Sequence, residues 1–323
     1  AGPGGMAENA AGDDESFLGE EVLRGTKTAT LLSGCGCRLR GTTGGLSSVV
    51  QGADDDFALS FPVAELDIFL SHSWHADWRL KYVSLLLHFN AAAAAVSGMC
   101  AGLACFAVRY HHAHHVHYHN TCSIESRPPG CSSSVHLWSF LVGGVTFLAM
   151  LFSWHHVVAL LPRHCGGRAL FLDKVCIHQT DPVKKAQGIA SLGGILERSS
   201  TFLVAWDATY FSRLWCIYEL SAFKALPTGA VAFLPLSNGS LIAALILCQA
   251  ATEALLCLMD QWMYLPLRTA DKLYTACSFL TALVCAPTLR RHAKDLDALN
   301  GQLAKFSVER AQCFCCKVGH QHP

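Results

Sequence analysis

Two uncharged apolar stretches constrain this chain more than any other feature of its sequence. Residues 83–108 and 137–161 contain no Asp, Glu, Lys or Arg, and each is long enough to cross a bilayer, which needs roughly 20 residues. Of the 323 residues, 52% are hydrophobic and only 15% are charged, a balance too apolar for an ordinary soluble enzyme. The sequence therefore predicts a transmembrane hairpin over residues 83–161, with a histidine-rich loop between its helices.

A second pair of apolar segments gives a weaker signal. Residues 240–259 carry Gln249 and Glu253, and residues 273–289 are short and contain Pro287. They predict either a second transmembrane hairpin over residues 237–290 or a pair of buried helices. Two hairpins would leave every other segment on one side of the membrane. Lys and Arg residues flank the predicted spans mainly on that side, which indicates that it is cytosolic.

Short apolar runs outside these hairpins indicate a sheet. Residues 66–71, 168–173, 200–206 and 230–236 are compact apolar runs of the kind that form buried parallel strands. Segments with helical spacing lie between the later runs. This alternation predicts an α/β fold, with a doubly wound parallel sheet that carries helices on both faces and is interrupted by the transmembrane hairpins.

The remaining segments complete the predicted domain organisation. The acidic, Gly/Ala-rich start of the chain indicates a disordered tail. The predicted parts outside the two hairpins are the disordered tail at residues 1–60, the first strand and its loop at 61–82, the rest of the sheet domain at 162–236, and a C-terminal strand with a Cys/His-rich tail at 291–323.

Four sequence boxes in the sheet segments resemble a known family. They are DIFLSHSW from residue 67, FLDKVCIHQ from 171, ILERSSTFLVAW from 195 and YFSRLWCIYEL from 210. Their order resembles that of the TIR domain, and specifically of the TIR-like branch with SHSW and RLWC boxes. The resemblance implies a flavodoxin-like fold and signalling through self-association of the domain.

The same resemblance implies a candidate active site. Some TIR domains hydrolyse NAD, and their essential carboxylate is the glutamate of the WCxxEL box, which here is Glu219. Ser71, His72 and Asp173 would line the NAD pocket. One carboxylate is enough for this chemistry, because nicotinamide leaves the cationic pyridinium as a neutral molecule and needs no proton. NAD would be the substrate, and no cofactor is required.

Simpler explanations compete with the catalytic one. Trp215 and Cys216 are expected to be core residues, and Glu219 near a helix N-terminus gains from the helix dipole without any chemistry. Asp173 and Lys174 could be a solvated pair. Many TIR domains are adaptors, so a noncatalytic membrane-anchored scaffold is the alternative function. A channel or transporter is a third, and it would depend on Gln249, Glu253, His155 or His156.

Two groups of residues could bind metal. The tail offers a compact set of zinc ligands, although its spacing departs from that of paired fingers. This set is Cys313, Cys315, Cys316, His320 and His322. Residues 111–119 hold six histidines, which could bind Zn²⁺ or Cu²⁺ or form a flexible, pH-sensitive loop.

The charge balance excludes one class of partner. Lys+Arg and Asp+Glu number 24 each, and no basic run with interleaved aromatic residues occurs. Nucleic acid is therefore not an expected partner. The expected partners are the membrane and a second copy of the TIR-like domain.

Overall fold

The computed structural model describes most of the chain. The described residues are 23–40, 53–119, 134–160, 168–227, 229–263 and 267–305. They form a six-stranded sheet with helices around it and several much longer helices.

The sheet is mixed. Its strands are β1 Arg24–Lys27, β2 Phe61–Pro62, β3 Leu66–His72, β4 Ala169–Phe171, β5 Ser199–Trp206 and β6 Ala230–Pro235. They lie in the order β2-β1-β4-β3-β5-β6. Strands β4, β3, β5 and β6 are parallel, whereas β1 is antiparallel to both of its neighbours.

The antiparallel edge departs from the predicted purely parallel sheet and from the predicted disordered tail. Strand β1 lies within residues 1–60, although its sequence RGTK contains no apolar run. Contacts distant in sequence hold it: the Arg24 side chain donates to Ser60 Oγ at 2.8 Å and to Ser60 O at 2.6 Å. Thr26 is completely buried. Residues 28–39 and 53–58 of the predicted tail are helical as well, and residues 1–22 and 41–52 lie outside the described residues.

Ten helices are described. They are α1 Thr28–Gly36, α2 Ala53–Ala58, α3 Trp78–His119, α4 Ser134–Leu160, α5 Asp173–Cys176, α6 Pro182–Ala190, α7 Leu192–Glu197, α8 Leu214–Lys224, α9 Leu236–Met263 and α10 Leu267–Ala304. Short 3₁₀ turns cover Cys37–Leu39 and Tyr210–Ser212.

A row of stacked aromatic rings forms the centre of the sheet's core. The ring of Phe69 on β3 stacks on Phe171 of β4 at 4.8 Å and on Phe202 of β5 at 5.2 Å. Phe202 also stacks on Phe223 of α8 at 5.1 Å. All four rings are at most 2% exposed. The apolar runs that predicted the strands therefore also fix α8 against β5.

Helices α3 and α4 form an antiparallel hairpin with close backbone contact. A Cβ atom added to Gly98 of α3 would lie 2.8 Å from the carbonyl oxygen of Gly143 on α4, and Gly102 also faces Gly143. Small residues four apart allow two helix backbones to approach in this way within a membrane. Further along, Asn90 Nδ2 donates to Leu151 O at 2.8 Å.

Helices α9 and α10 form a second antiparallel hairpin. Ser237 Oγ lies 3.1 Å from His292 Nδ1, and near the other end Thr252 and Thr281 join their hydroxyls at 3.2 Å. Residues 291–304, predicted to begin a C-terminal strand, instead continue α10. Residues 306–323 lie outside the described part of the chain.

Three of the described helices are long and apolar enough to cross a membrane. The segments are Trp78–His112 in α3, Trp138–Leu160 in α4 and Leu236–Leu255 in α9. Large apolar side chains stay exposed along them, unlike those of a soluble protein. Examples are Val96, Met99, Leu103, Phe140, Val145, Phe152 and Leu247. The chain is therefore consistent with membrane association.

Candidate functional site

The candidate site lies where the central parallel strands end. Ser71 and His72 are the last two residues of β3, so they belong to the strand rather than to the loop after it. Asp173 follows β4 and begins α5, and Asp207 directly follows β5. Because parallel strands end at one edge of a sheet, these four side chains belong to the edge where α/β proteins bind ligands.

Helix α8 brings Glu219 to this edge. Its buried face includes Cys216, Glu219 and Phe223, which are spaced by three and four residues and so share one side of the helix. Glu219 lies in the second turn of α8, and the first turn holds no acidic residue. The helix dipole falls off within the first turn, so it does not account for a carboxyl group at this position.

Glu219 and Ser71 are directly bonded. Ser71 Oγ donates to Glu219 Oε2 at 2.6 Å, and the Tyr210 hydroxyl lies 2.7 Å from the same Ser71 oxygen. The Tyr210 hydroxyl shares a hydrogen bond with Ser71 and also lies 3.4 Å from the Cys216 carbonyl oxygen, to which it donates. The result is a buried chain of hydrogen bonds from tyrosine to serine to glutamate, which fixes the orientation of the carboxyl group.

Burial controls the protonation of Glu219. The residue is 4% exposed, and desolvation raises its pKa from 4.5 to about 8. Hydrogen bonds from Ser71 and Trp215 oppose this shift, whereas the negative charge of Asp173 adds to it. Glu219 therefore carries a proton at neutral pH and titrates slightly above it. Strongly shifted carboxyl groups of this kind are typical of functional sites, although buried structural networks also produce them.

Asp173 has partners of its own. Trp74 Nε1 donates to Asp173 Oδ2 at 2.9 Å, and the backbone N–H of Lys174 donates to Oδ1 at 2.7 Å. Burial raises the pKa of Asp173 to about 6, against the effect of these bonds. The Lys174 ammonium pairs instead with Asp56 Oδ2 at 3.7 Å. The solvated Asp173–Lys174 side-chain pair is therefore not formed.

His72 takes part mainly through its backbone. Cys216 Sγ donates to the His72 carbonyl oxygen at 3.6 Å. Burial, followed by the charges of Lys81 and Lys174, lowers the pKa of the imidazole well below its usual value. His72 is therefore a neutral side chain beside the Ser71–Glu219 pair.

Two expectations for the neighbouring residues have different outcomes. Cys216 is 4% exposed and belongs to the core, as predicted. Trp215, also predicted to be core, is 40% exposed. Its side chain is close enough to Glu219 to lower the pKa of that carboxyl group against the effect of burial. The sequence of an apolar helix does not indicate whether a tryptophan in it is buried in the core or partly exposed.

Sequence reasoning missed three residues of this site. Tyr210 stands in the fourth sequence box, but the resemblance gave it no role, and Asp207 lies outside the four boxes. Lys81 was interpreted as a charge flanking the first membrane span, but it is completely buried. The signal that could have found Lys81 is its spacing: it lies one helical turn after Asp77 and directly before the uncharged stretch.

The polar residues of the long helices have local partners. His155 Nδ1 lies 3.0 Å from Asn90 Nδ2, and Gln249 Nε2 donates to Glu253 Oε1 at 2.7 Å within α9. These bonds give the polar groups a structural role inside apolar helices.

Only one of the two predicted metal sites lies within the described residues. The histidine-rich residues 111–119 continue α3 as a helix and do not form a loop. The Cys/His set of the tail, from Cys313 to His322, lies outside the described residues and stays a prediction. Within the part of the chain that is described, no group of three or more His, Cys, Asp or Glu side chains could hold a metal ion.

Comparison with known proteins found no match. No protein-family model, no curated protein and no solved structure matches the chain. The resemblance to TIR domains therefore depends on the four sequence boxes alone.

Proposed function

We propose that this chain is a membrane-anchored TIR-like signalling protein that self-associates through its sheet domain and hydrolyses NAD to nicotinamide and ADP-ribose, with Glu219 as the key carboxylate. The observation that carries the proposal is the buried Ser71–Glu219 pair at the carboxyl edge of the parallel strands. The resemblance to TIR domains pointed to both residues from sequence alone.

The strand order supports a flavodoxin-like core. In order of sequence, the four parallel strands occupy the sheet as second, first, third and fourth, which is the beginning of the flavodoxin-like order. Strands β1 and β2 extend the sheet beyond β4. Ligands in such folds bind where the strand order reverses, and here that is between the ends of β3 and β5, beside Ser71 and Asp207.

The proposed reaction needs little from the protein. The bond between ribose C1′ and the nicotinamide nitrogen breaks, and its electron pair leaves with nicotinamide. Water then adds to C1′ and loses a proton. Ionised Glu219 would stabilise the positive charge that develops on the ribose, and a pKa of about 8 suits a group that accepts the proton from water. Since the ionised form is the active one, the rate is expected to rise with pH towards about 8.

A noncatalytic adaptor is the second candidate function. The low exposure of Glu219 favours it, because a substrate would have to reach a buried carboxyl group that already accepts a hydrogen bond. In an adaptor, the Tyr210–Ser71–Glu219 chain would only fix α8 to the sheet. The sheet domain would then self-associate without catalysing a reaction.

Nicotinamide release from NAD separates the two functions. The full chain, solubilised in detergent and concentrated, is compared with Glu219→Gln, which keeps a hydrogen-bonding side chain of the same shape. The matched control is Glu197→Gln, at an exposed position on α7. We expect release by the parent and the control, and at least about 100-fold less from Glu219→Gln. A folded parent that releases no nicotinamide, even when crowded, would leave the adaptor as the function.

The proposed location follows from the hairpins. Helix α9 leaves the sheet domain directly after β6, and the far end of α10 comes back to it, because Gln302 Nε2 donates to Ala208 O at 3.0 Å. The α3–α4 hairpin likewise begins and ends beside sheet strands. Both hairpins therefore start from and return to the sheet domain, which supports a sheet domain that stays on one side of the membrane. The positive-inside rule indicates that this is the cytosolic side.

A further inference from the structure

Lys81 is a buried cation at the candidate site. It lies in the first turns of α3, and its side chain is fully withdrawn from solvent. Within the described part of the chain, its ammonium group forms no hydrogen bond and no ion pair. A buried ammonium without partners is costly, and such groups are normally paired or hydrogen-bonded.

The charge of Lys81 acts on the site residues. It lowers the pKa of Asp173 and of Asp207 against the larger effect of burial, and it contributes to the lowered pKa of His72. These residues stand at the ends of three different strands. Lys81 therefore projects towards the carboxyl edge of the sheet.

A purely structural role does not explain this arrangement well. A cation kept to neutralise Asp173 or Asp207 would be expected to contact one of them. In the described structure Asp173 instead accepts from Trp74 and Lys174, and Asp207 accepts from Thr209 at 2.8 Å. The hydrogen-bonding capacity of the ammonium is thus left for a group that the chain itself does not supply.

We propose that Lys81 binds a phosphate group of the ligand at this site. An ammonium group with three donors is a good partner for phosphate oxygens, and neighbouring Asp173 and Asp207 are suited to accept hydrogen bonds from sugar hydroxyls. Together these groups select a phosphorylated sugar, as in a nucleotide. The inference rests on the proposed function in one respect: it assigns the pyrophosphate of the dinucleotide to Lys81.

Binding of ADP-ribose tests this assignment without any cleavage. The full chain in detergent is titrated with ADP-ribose, inorganic pyrophosphate and nicotinamide riboside, which has no phosphate. Lys81→Met removes the charge and keeps the length of the side chain. Arg79→Met is the matched control, because Arg79 is an exposed cation on the same helix.

We expect Lys81→Met to weaken ADP-ribose binding by about 10- to 100-fold, the range for a hydrogen bond to a charged group. Pyrophosphate binding should weaken as well, whereas binding of nicotinamide riboside and the Arg79→Met variant should match the parent. Lys81→Arg should retain most of the affinity, and it keeps the test valid if Lys81→Met fails to fold.

Three results would overturn the assignment. They are unchanged ADP-ribose affinity in folded Lys81→Met, equal weakening for the riboside without phosphate, and absence of ADP-ribose binding by the parent. The outcome is separable from that of the proposed function. A parent that binds ADP-ribose through Lys81 without releasing nicotinamide supports the phosphate site and contradicts the hydrolase. Nicotinamide release by the parent, together with unchanged ADP-ribose binding by Lys81→Met, supports the hydrolase and contradicts the phosphate site.

Discussion

The proton on Glu219 is the residue-level feature on which the account depends. Burial holds it there, and Ser71 donates to the carboxyl group from β3. In the folded chain, ionising this group at neutral pH is therefore unfavourable. A ligand that brings positive charge to the carboxyl group would favour ionisation. Glu219 is therefore protonated in the ligand-free structure and ionised in the proposed active form.

Stability is expected to fall as the pH rises towards 8. Glu219 has a pKa of about 8 in the folded chain and 4.5 as its ordinary value, so between these values the folded chain keeps a proton that the unfolded chain loses. Each such group lowers the free energy of unfolding by up to about 1.4 kcal/mol per pH unit in that window. Asp173 acts in the same direction, but only below about pH 6.

Glu219→Gln should therefore flatten the pH dependence of stability between pH 6 and 8. The measurement is the thermal unfolding midpoint of the parent and the variant in the same detergent across this range. Glu197→Gln is the control. An unchanged slope in Glu219→Gln would mean that the carboxyl group is already ionised at neutral pH.

Some site residues could be predicted from the sequence and others could not. Ser71 and Glu219 stand in sequence boxes whose resemblance to TIR domains names them. Tyr210 and Lys81 depend on how separate segments pack, because the partner of Tyr210 is 139 residues away and the environment of Lys81 combines three strand ends. Sequence patterns report the local period of a helix or strand and not such distant contacts.

At the scale of elements, the glycine contact between α3 and α4 makes a specific prediction. A Cβ atom on Gly143 would lie 2.9 Å from the Gly98 carbonyl oxygen, whereas one on Gly144 would have nothing within 4 Å. Gly143→Leu should separate the helices and destabilise the hairpin by about 1–3 kcal/mol. Gly144→Leu, one residue away on the same helix, should not.

The two variants can be compared by thermal unfolding in detergent. As an independent readout, cysteines introduced on α3 and α4 outside this glycine contact report the distance between the helices by disulfide cross-linking. Equal behaviour of the two leucine variants in both measurements would contradict the close backbone approach of α3 and α4.

The predictability of the elements follows their apolar patterns. Strands β3 and β5 were predicted because both of their faces are buried and their sequences are continuous apolar runs. Strand β1 was not, because it is short and polar and is fixed by its neighbours. Helix α3 extends beyond the apolar residues 83–108 at both ends: its start packs into the sheet domain, and histidines continue the helix at its end.

The whole molecule combines a sheet domain with two helical hairpins. Three helices meet the length and composition of a membrane span, and the hydrogen bond from Gln302 to Ala208 returns α10 to the sheet domain. The proposed topology has an even number of crossings, with α10 as the returning helix.

Protease protection of sealed microsomes tests this topology. Epitope tags are added at the two chain ends and inserted after residues 126 and 265, between the helices of each hairpin. Protease outside the microsomes should remove the two terminal tags and spare the two inserted ones. Protection of the C-terminal tag together with loss of the N-terminal tag would mean an odd number of crossings.

The most direct test of the central claim is nicotinamide release in proteoliposomes with increasing amounts of protein per lipid. Membrane anchoring, self-association and Glu219 chemistry together predict that release per molecule rises as the chains become crowded, in the parent and in Glu197→Gln but not in Glu219→Gln. Absence of release at every density by correctly folded parent protein, or equal release by Glu219→Gln, would contradict the account.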